Sequence, residues 1–256
     1  MKIFKFRILT FAVLLSFIGI GAAARTFDDE TVRYKVMFKW GLINKQAGLV
    51  DITLKSEGDK YYSILTAASD PWADHFYKVR DTLTTIMSKA TLMPEIYEKI
   101  ANEGNENKHD IVKFTKNGDV THGKCFRKVI KKGKLKIDEQ MDVEAIGTTV
   151  DMLSSYYYMR TLPYETMKEG QVSTINIFSG KRKELLTLKY LGRETIKYDN
   201  CKYDCYHISF IFTSDGKKKT SDDMEAWITA APQRIPVKLE GKLPVGKVRC
   251  FLISRK

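Results

Sequence analysis

The chain has 256 residues, with 43 lysines and arginines against 31 aspartates and glutamates, a formal net charge of +12, and only four cysteines. That length suffices for one large domain with a sizeable core, and four cysteines are too few for a disulfide-built scaffold. The positive charge comes without a zinc finger, a basic helix or an aromatic RNA-binding signature, which argues against a nucleic-acid partner.

Residues 1–24 read as a secretory signal peptide. Lys2, Lys5 and Arg7 precede an apolar run from Ile8 to Ile20, and the small residues Ala22-Ala23-Ala24 follow. The run falls short of the ~20 residues of a spanning helix. Cleavage near Ala24 is expected to leave a single domain over 25–256, in the periplasm or secreted. With the three leader cations removed, its charge stays near +9. No cysteine follows the leader to carry a lipid anchor, and no Asn-x-Ser/Thr sequon occurs, so a bacterial envelope is expected. Its natural partners are anionic lipid, lipopolysaccharide or acidic glycan, with an envelope protein as a further one.

The mature region reads as strands. Val32, Tyr34, Val36, Phe38 and Trp40 alternate with Arg33, Lys35, Met37 and Lys39, the period of a half-buried strand. Turns lead into Leu49–Lys55 and Tyr61–Ala68. Further strands are predicted near 77–88, 93–102, 107–116, 120–130, 134–142, 171–179, 183–195, 203–213, 222–230, 235–241 and 246–254. Asn117-Gly118-Asp119, Lys132-Gly133, Ser179-Gly180-Lys181, Asp215-Gly216 and Val245-Gly246 mark turns between them. The expected class is all-β: an antiparallel meander forming a curved sheet or barrel of roughly 12–13 strands. Lys35, Lys39, Lys134, Lys136, Lys238 and Glu240 on its outward faces would be costly against lipid, which favours a soluble body over a membrane barrel.

One helix interrupts the strands, near 149–161. Thr148 with Asp151 has the capping-box form, and Pro163 ends the segment. Val150, Leu153 and Tyr157 on one side, with Met152, Tyr156 and Met159 on another, make it apolar nearly all round, as suits a plug inside a curved sheet. Tyr156, Tyr157 and Arg160, with Trp227 and Arg234 from the C-terminal strands, are the candidate ligand-binding residues. Phenols stack on sugars or acyl chains, and a guanidinium holds phosphate or carboxylate. The plainer alternative is a core helix whose arginine pairs with a carboxylate such as Asp151.

The segment Lys124–Lys136 gathers seven cations in thirteen residues: Lys124, Arg127, Lys128, Lys131, Lys132, Lys134 and Lys136. It is either an anionic-surface patch or an edge hairpin whose lysines discourage strand addition. No catalytic residue is assigned, and no cofactor or metal is expected. His75, His109, His122 and His207 are scattered, and neither a nucleophile elbow, a phosphate loop nor a His-Glu-x-x-His helix occurs. Cys201 and Cys205 with His207, and His122 with Cys125, lack the compact spacing of structural zinc. One disulfide or none is expected, Cys201–Cys205 across Lys202-Tyr203-Asp204 being the candidate, while Cys250 shares an inward face with Val248 and Leu252. Asp70, Asp74 and Asp81 are the carboxylates of a third reading, a carboxylate-pair hydrolase.

Three segments together resemble the bacterial exported family called domain of unknown function 3108. They are Tyr34-x-Val36-x-Phe38-x-Trp40-Gly41 with Ala47-Gly48; Asp151 to Arg160; and Trp227-Ile228-Thr229 with Arg234-Ile235-Pro236-Val237-Lys238. The family's middle motif, Asp-x-Leu-Ser-x-Leu-Tyr-Tyr-x-Arg, corresponds to Asp151, Leu153, Ser154, Tyr157, Tyr158 and Arg160, with Met152 and Tyr156 as mild departures. The resemblance spans nearly the whole mature chain. It implies an exported antiparallel β protein, similar to envelope proteins with large open or closed barrels, and no established activity. The expected function is a non-enzymatic binding or carrier module for a hydrophobic, lipidic or glycan ligand. The alternative is a structural or assembly factor of the envelope with a filled barrel.

Overall fold

The computed structural model describes residues 26–214, 218–219, 223–242 and 246–256. The segment 1–24 expected to be a signal peptide, the expected turn at Asp215-Gly216 and Val245 of the last expected turn lie outside the described residues. Eight strands run in sequence order as an antiparallel meander: β1 (Glu30–Trp40), β2 (Ile43–Glu57), β3 (Lys60–Ser69), β4 (Val79–Ser88), β5 (Pro94–Glu103), β6 (Glu106–Asn117), β7 (Val120–Lys131) and β8 (Lys134–Ile146). The helix α1 (Pro71–Tyr77) joins β3 to β4. The second half holds β9 (Thr149–Val150), the helix α2 (Ser154–Thr161), β10 (Val172–Phe178), β11 (Lys183–Tyr198), β12 (Cys201–Ser214), β13 (Lys218–Lys219), β14 (Met224–Thr229), β15 (Pro236–Lys242) and β16 (Lys247–Arg255).

All belong to one sheet in the order β8-β7-β6-β5-β4-β3-β2-β1-β16-β15-β14-β12-β11-β10-β9, with β13 on β12. The first and last long strands therefore pair at its middle, Val36 opposite Cys250 and Phe38 opposite Val248. The result is an all-β, nearly closed barrel. The strand count exceeds the expected 12–13 in part because β9 and β13 are two-residue bridges, too short to carry a period. One junction is parallel: β9 pairs β10 through Asn176 and Thr149.

Inside, β1 presents Val32 and Tyr34, β2 Ile52 and Leu54, and β3 Tyr61, all buried against α2. A second core of Ile175, Leu186, Leu188, Ile208 and Ile228 covers the other side of the helix. The plug expected from its all-round apolar surface is thus in place. The helix itself starts later than expected, because Thr149 and Val150 spend their backbone on β10. Thr148 is not its cap. Asp151 is: its Oδ1 accepts the amides of Leu153 at 2.7 Å and Ser154 at 2.8 Å, while Ser154 Oγ accepts the Asp151 amide at 2.9 Å.

The β11–β12 hairpin is long enough to bend over the convex face. A register shift between Tyr190 and Gly192, where φ is +118°, sets the bend, and at its tip Tyr198 stacks on Phe251 of β16. This strand pairing overturns the Cys201–Cys205 bridge. Both residues lie on β12, where four residues span about 13 Å, twice the reach of a disulfide. All four thiols are free.

Candidate functional site

The tyrosine helix closes one end of the barrel with side chains that bond to each other. Tyr156 and Tyr34 share a hydroxyl contact at 2.9 Å, Tyr157 meets Ser63 Oγ at 2.8 Å, and Thr85 Oγ1 donates to Asp151 Oδ2 at 2.6 Å. Arg160, 1% exposed, takes Glu30 as its carboxylate rather than Asp151. It also donates to the carbonyls of Gln233 and Arg234 and lies over the rings of Phe27, Tyr156 and Tyr157. Burial alone would depress its guanidinium; Tyr156 and Glu30 outweigh that and hold it above its ordinary value. Desolvation likewise raises the phenols of Tyr156 and Tyr157, so both stay neutral donors.

The other two candidates lie apart from this cluster. Arg234 gives its carbonyl to Arg160, but its own guanidinium turns to Glu165 and the Leu162 carbonyl, over Tyr164 and Tyr206. Trp227 is on the convex face, with the His207 ring stacked at 4.4 Å and Lys238 above it at 3.7 Å. Tyr156, Tyr157 and Arg160 are brought together; Trp227 is separated from them by the thickness of the sheet.

Burial raises the Asp151 carboxyl against the hydrogen bonds it accepts. A group raised in the folded state contributes stability that is fully present below its unfolded pKa of about 4, and lost as pH rises through the folded value. Urea unfolding of Asp151→Asn across pH 4–7 is therefore expected to give a flatter stability profile than wild type. An unchanged slope would remove this carboxyl from the pH response.

The opposite end of the barrel is hollow. The inward positions Val36 and Phe38 of β1, Gly48 and Val50 of β2, Ala67 of β3, Val79 of β4 and Val248 of β16 surround an apolar cavity of about 430 Å³. Trp72, Ala73, Phe76 and Tyr77 of α1 lie over it. Small side chains make the volume: Gly48 pairs Ser69 and Val50 pairs Ala67 where β2 and β3 of the plugged end carry Leu54 and Tyr61.

The α1 cover is held at its edges. Trp72 Nε1 donates to the Gln46 carbonyl at 2.6 Å, and Arg80 grips Asp74 at 2.7 Å. None of its residues is buried, and Phe76 is 82% exposed. An element with so little burial belongs to the low-stability part of a fold. Sequence reasoning placed no helix here and missed the cavity. The signal was present: Asp70-Pro71 puts an N-cap residue before proline at the first helical position.

The seven-cation segment is the β7–β8 hairpin at the sheet edge, and its residues divide between faces. Lys124, Lys128, Lys132 and Lys134 are exposed, whereas Arg127 points inward, 9% exposed, paired with Asp110 at 2.9 Å. Arg127, Lys131 and Lys136 line a cleft of about 530 Å³ between β8 and the β10–β11 turn, together with Lys99, Lys108 and Lys181. Lys131 and Lys108 both reach Glu106, at 2.5 and 3.2 Å.

The three aspartates have separate environments. Asp70 accepts from Gln46, and Asp74 is held below its ordinary pKa by hydrogen bonds from Arg80 and Ser69. Asp81 is raised by burial and by Glu103 beside it. Among the described residues no group of three or more His, Cys, Asp or Glu side chains is arranged to hold a metal ion.

A nearly closed β-barrel, plugged by a helix at one end and hollow at the other, defines the class. Within it, residues 33–253 match the family described as protein of unknown function DUF3108, and the chain belongs to that family. Among solved structures it is similar to the crystal structure of a β-barrel-like protein of domain of unknown function DUF1849 from Brucella abortus. The TM-score is 0.61 at 10% identity, covering 91% of this chain and 99% of that one. At that identity the likeness is one of fold. Among curated proteins no match was found.

Proposed function

We propose that the protein is a non-enzymatic binding or carrier module of the bacterial envelope, periplasmic or secreted, which takes a hydrophobic ligand into the barrel mouth under α1. The observation that carries this reading is the cavity itself. Its volume of about 430 Å³ falls within the range of small-molecule sites. Its wall is built from inward strand positions that would otherwise be filled like those around α2. Among the described residues, Trp40, Leu42 and Ile43 of the β1–β2 hairpin and Phe76 and Tyr77 of α1 are large apolar side chains that stand exposed at this end. Such a rim suits loading from a lipid surface. The leader-like residues 1–24 support the compartment.

The packed interior around α2 favours a second reading, an envelope assembly factor working through its outer surface. Ligand binding in the cavity is the test that separates the two. A neutral apolar fluorophore such as N-phenylnaphthylamine is expected to bind and brighten, and Ala67→Trp, which fills the cavity from β3, to weaken binding at least about tenfold. Ala73→Trp, on a helix with no buried residue, repeats the test without touching the sheet. Binding unaltered in both variants, or absent from the parent, would favour the assembly role.

A further inference from the structure

We propose that the ligand of this mouth is an anionic amphiphile, its apolar chain lying under α1 and its head held by the cations of the seam cleft beside β8. This rests on the binding reading above and adds the chemistry of the head group. The apolar cavity and the cationic cleft open at the same end of the barrel, joined by one cross-strand row. Val79, which lines the cavity, stands opposite Glu103; Glu103 stands opposite Glu106; and Glu106 stands opposite Lys131, which lines the cleft. Three strand spacings of about 4.8 Å put the two about 14 Å apart, a span that an extended dodecyl chain matches.

The cleft has the charge for a head group. Lys99, Lys108, Arg127, Lys131, Lys136 and Lys181 line it against three carboxylates, Glu106, Asp110 and Glu184. Those carboxylates are already taken, Glu106 by Lys108 and Lys131, Asp110 by Arg127, and Glu184 by Arg182. Lys99, Lys136 and Lys181 form no ion pair among the described residues. The crowding bears on Lys181, whose ammonium is held below its ordinary pKa by Arg182, by burial, and by Arg127 and Lys108. An anion placed there relieves that repulsion.

The site exists because the barrel is not sealed along its length. The chain passes directly from the end of β8 at Ile146 to β9, which pairs β10, and the Asn176 side chain donates to the Ile146 carbonyl at 2.9 Å, so the two ends of the sheet are tied together at that corner. At the other end of β8, around Lys136 and Ile137, the neighbour is the β10–β11 turn, and the gap between them is the cleft. An amphiphile fits such a mouth sideways, chain inward and head at the seam.

The test is displacement of a neutral apolar fluorophore from the full chain. The competitors, all below their micelle concentrations, are dodecyl phosphate, neutral dodecyl glucoside and cationic dodecyltrimethylammonium, with inorganic phosphate as a fourth. Dodecyl phosphate is expected to displace the probe at about tenfold lower concentration than the glucoside, with the cation weakest. Raised salt should shrink the preference, and Lys136→Glu with Lys181→Glu, both at exposed positions, should abolish it while probe affinity stays unchanged. Equal displacement by the phosphate and the glucoside, or a preference surviving the double variant, overturns the head-group assignment and leaves the binding reading standing. Inorganic phosphate binding as tightly as dodecyl phosphate without displacing the probe makes the cleft a free-anion site and also overturns it. Failure of every amphiphile to displace the probe overturns the binding reading itself.

Discussion

Glu30→Gln is expected to destabilise the protein by about 3–5 kcal/mol, the loss typical when one partner of a buried ion pair is removed. Glu30 and Arg160 side chains are each 1% exposed, and the second oxygen of Glu30 accepts from Arg255 at 2.7 Å. Glutamine keeps the shape and an acceptor but leaves the Arg160 guanidinium charged among aromatic rings, with only carbonyls to meet it. The same carboxylate ties β1 to α2 and to the end of β16, so its loss loosens the plug and the central strand pair together. Two controls make the result specific. Arg33→Ala, which breaks an ion pair at the solvent-exposed surface, should cost far less. Glu30→Leu combined with Arg160→Met should recover much of the loss, since an apolar pair of similar volume replaces two desolvated charges. Urea unfolding followed by circular dichroism measures all three, and a Glu30→Gln loss below about 1 kcal/mol would show that the guanidinium finds other compensation.

Much of the barrel was legible because strand alternation is a local property. The expected segments 93–102, 107–116 and 120–130 match β5, β6 and β7 to within one residue at either end. What was not legible depends on residues far apart in the chain. Arg160 chooses Glu30, 130 positions away, over the nearby Asp151, because Asp151 is occupied by the amides that start α2 and by Thr85. The start of α2 was misplaced for a similar reason, since Thr149 and Val150 look helical until β10 arrives beside them. The alternation of Val36, Phe38 and Val248 correctly gave an inward face, but alternation cannot distinguish a filled interior from a hollow one. That difference lies in what stands across the barrel: α2 at one end, and at the other the small residues Gly48, Ala67 and Ala73.

Closure of the barrel leads to the second large effect. Among the described residues β8 is one end of the sheet, with no hydrogen-bonded strand on its far side, so the two ends of the sheet are held together there by packing. Phe178, the last residue of β10, carries that contact. It is fully buried, stacks on Phe114 of β6 with centroids 5.5 Å apart and planes at 13°, and lies directly over Gly123 of β7. A Cβ at Gly123 would come within 2.5 Å of Phe178 Cδ2 and 2.9 Å of Val143 Cγ2, so glycine is required for the ring to seat. Phe178→Ala should therefore cost about 3–5 kcal/mol, and Gly123→Ala about 1–3 kcal/mol by overpacking the same contact. The two must be strongly non-additive, because the alanine at 123 has room once the ring is gone and fills part of the cavity. Hydrogen exchange adds the spatial readout, with amides of β9 and β10 losing protection before those of β1 to β3 in Phe178→Ala. Additive losses, or protection lost evenly around the sheet, would mean that the seam is held by the β9–β10 bridge rather than by the ring.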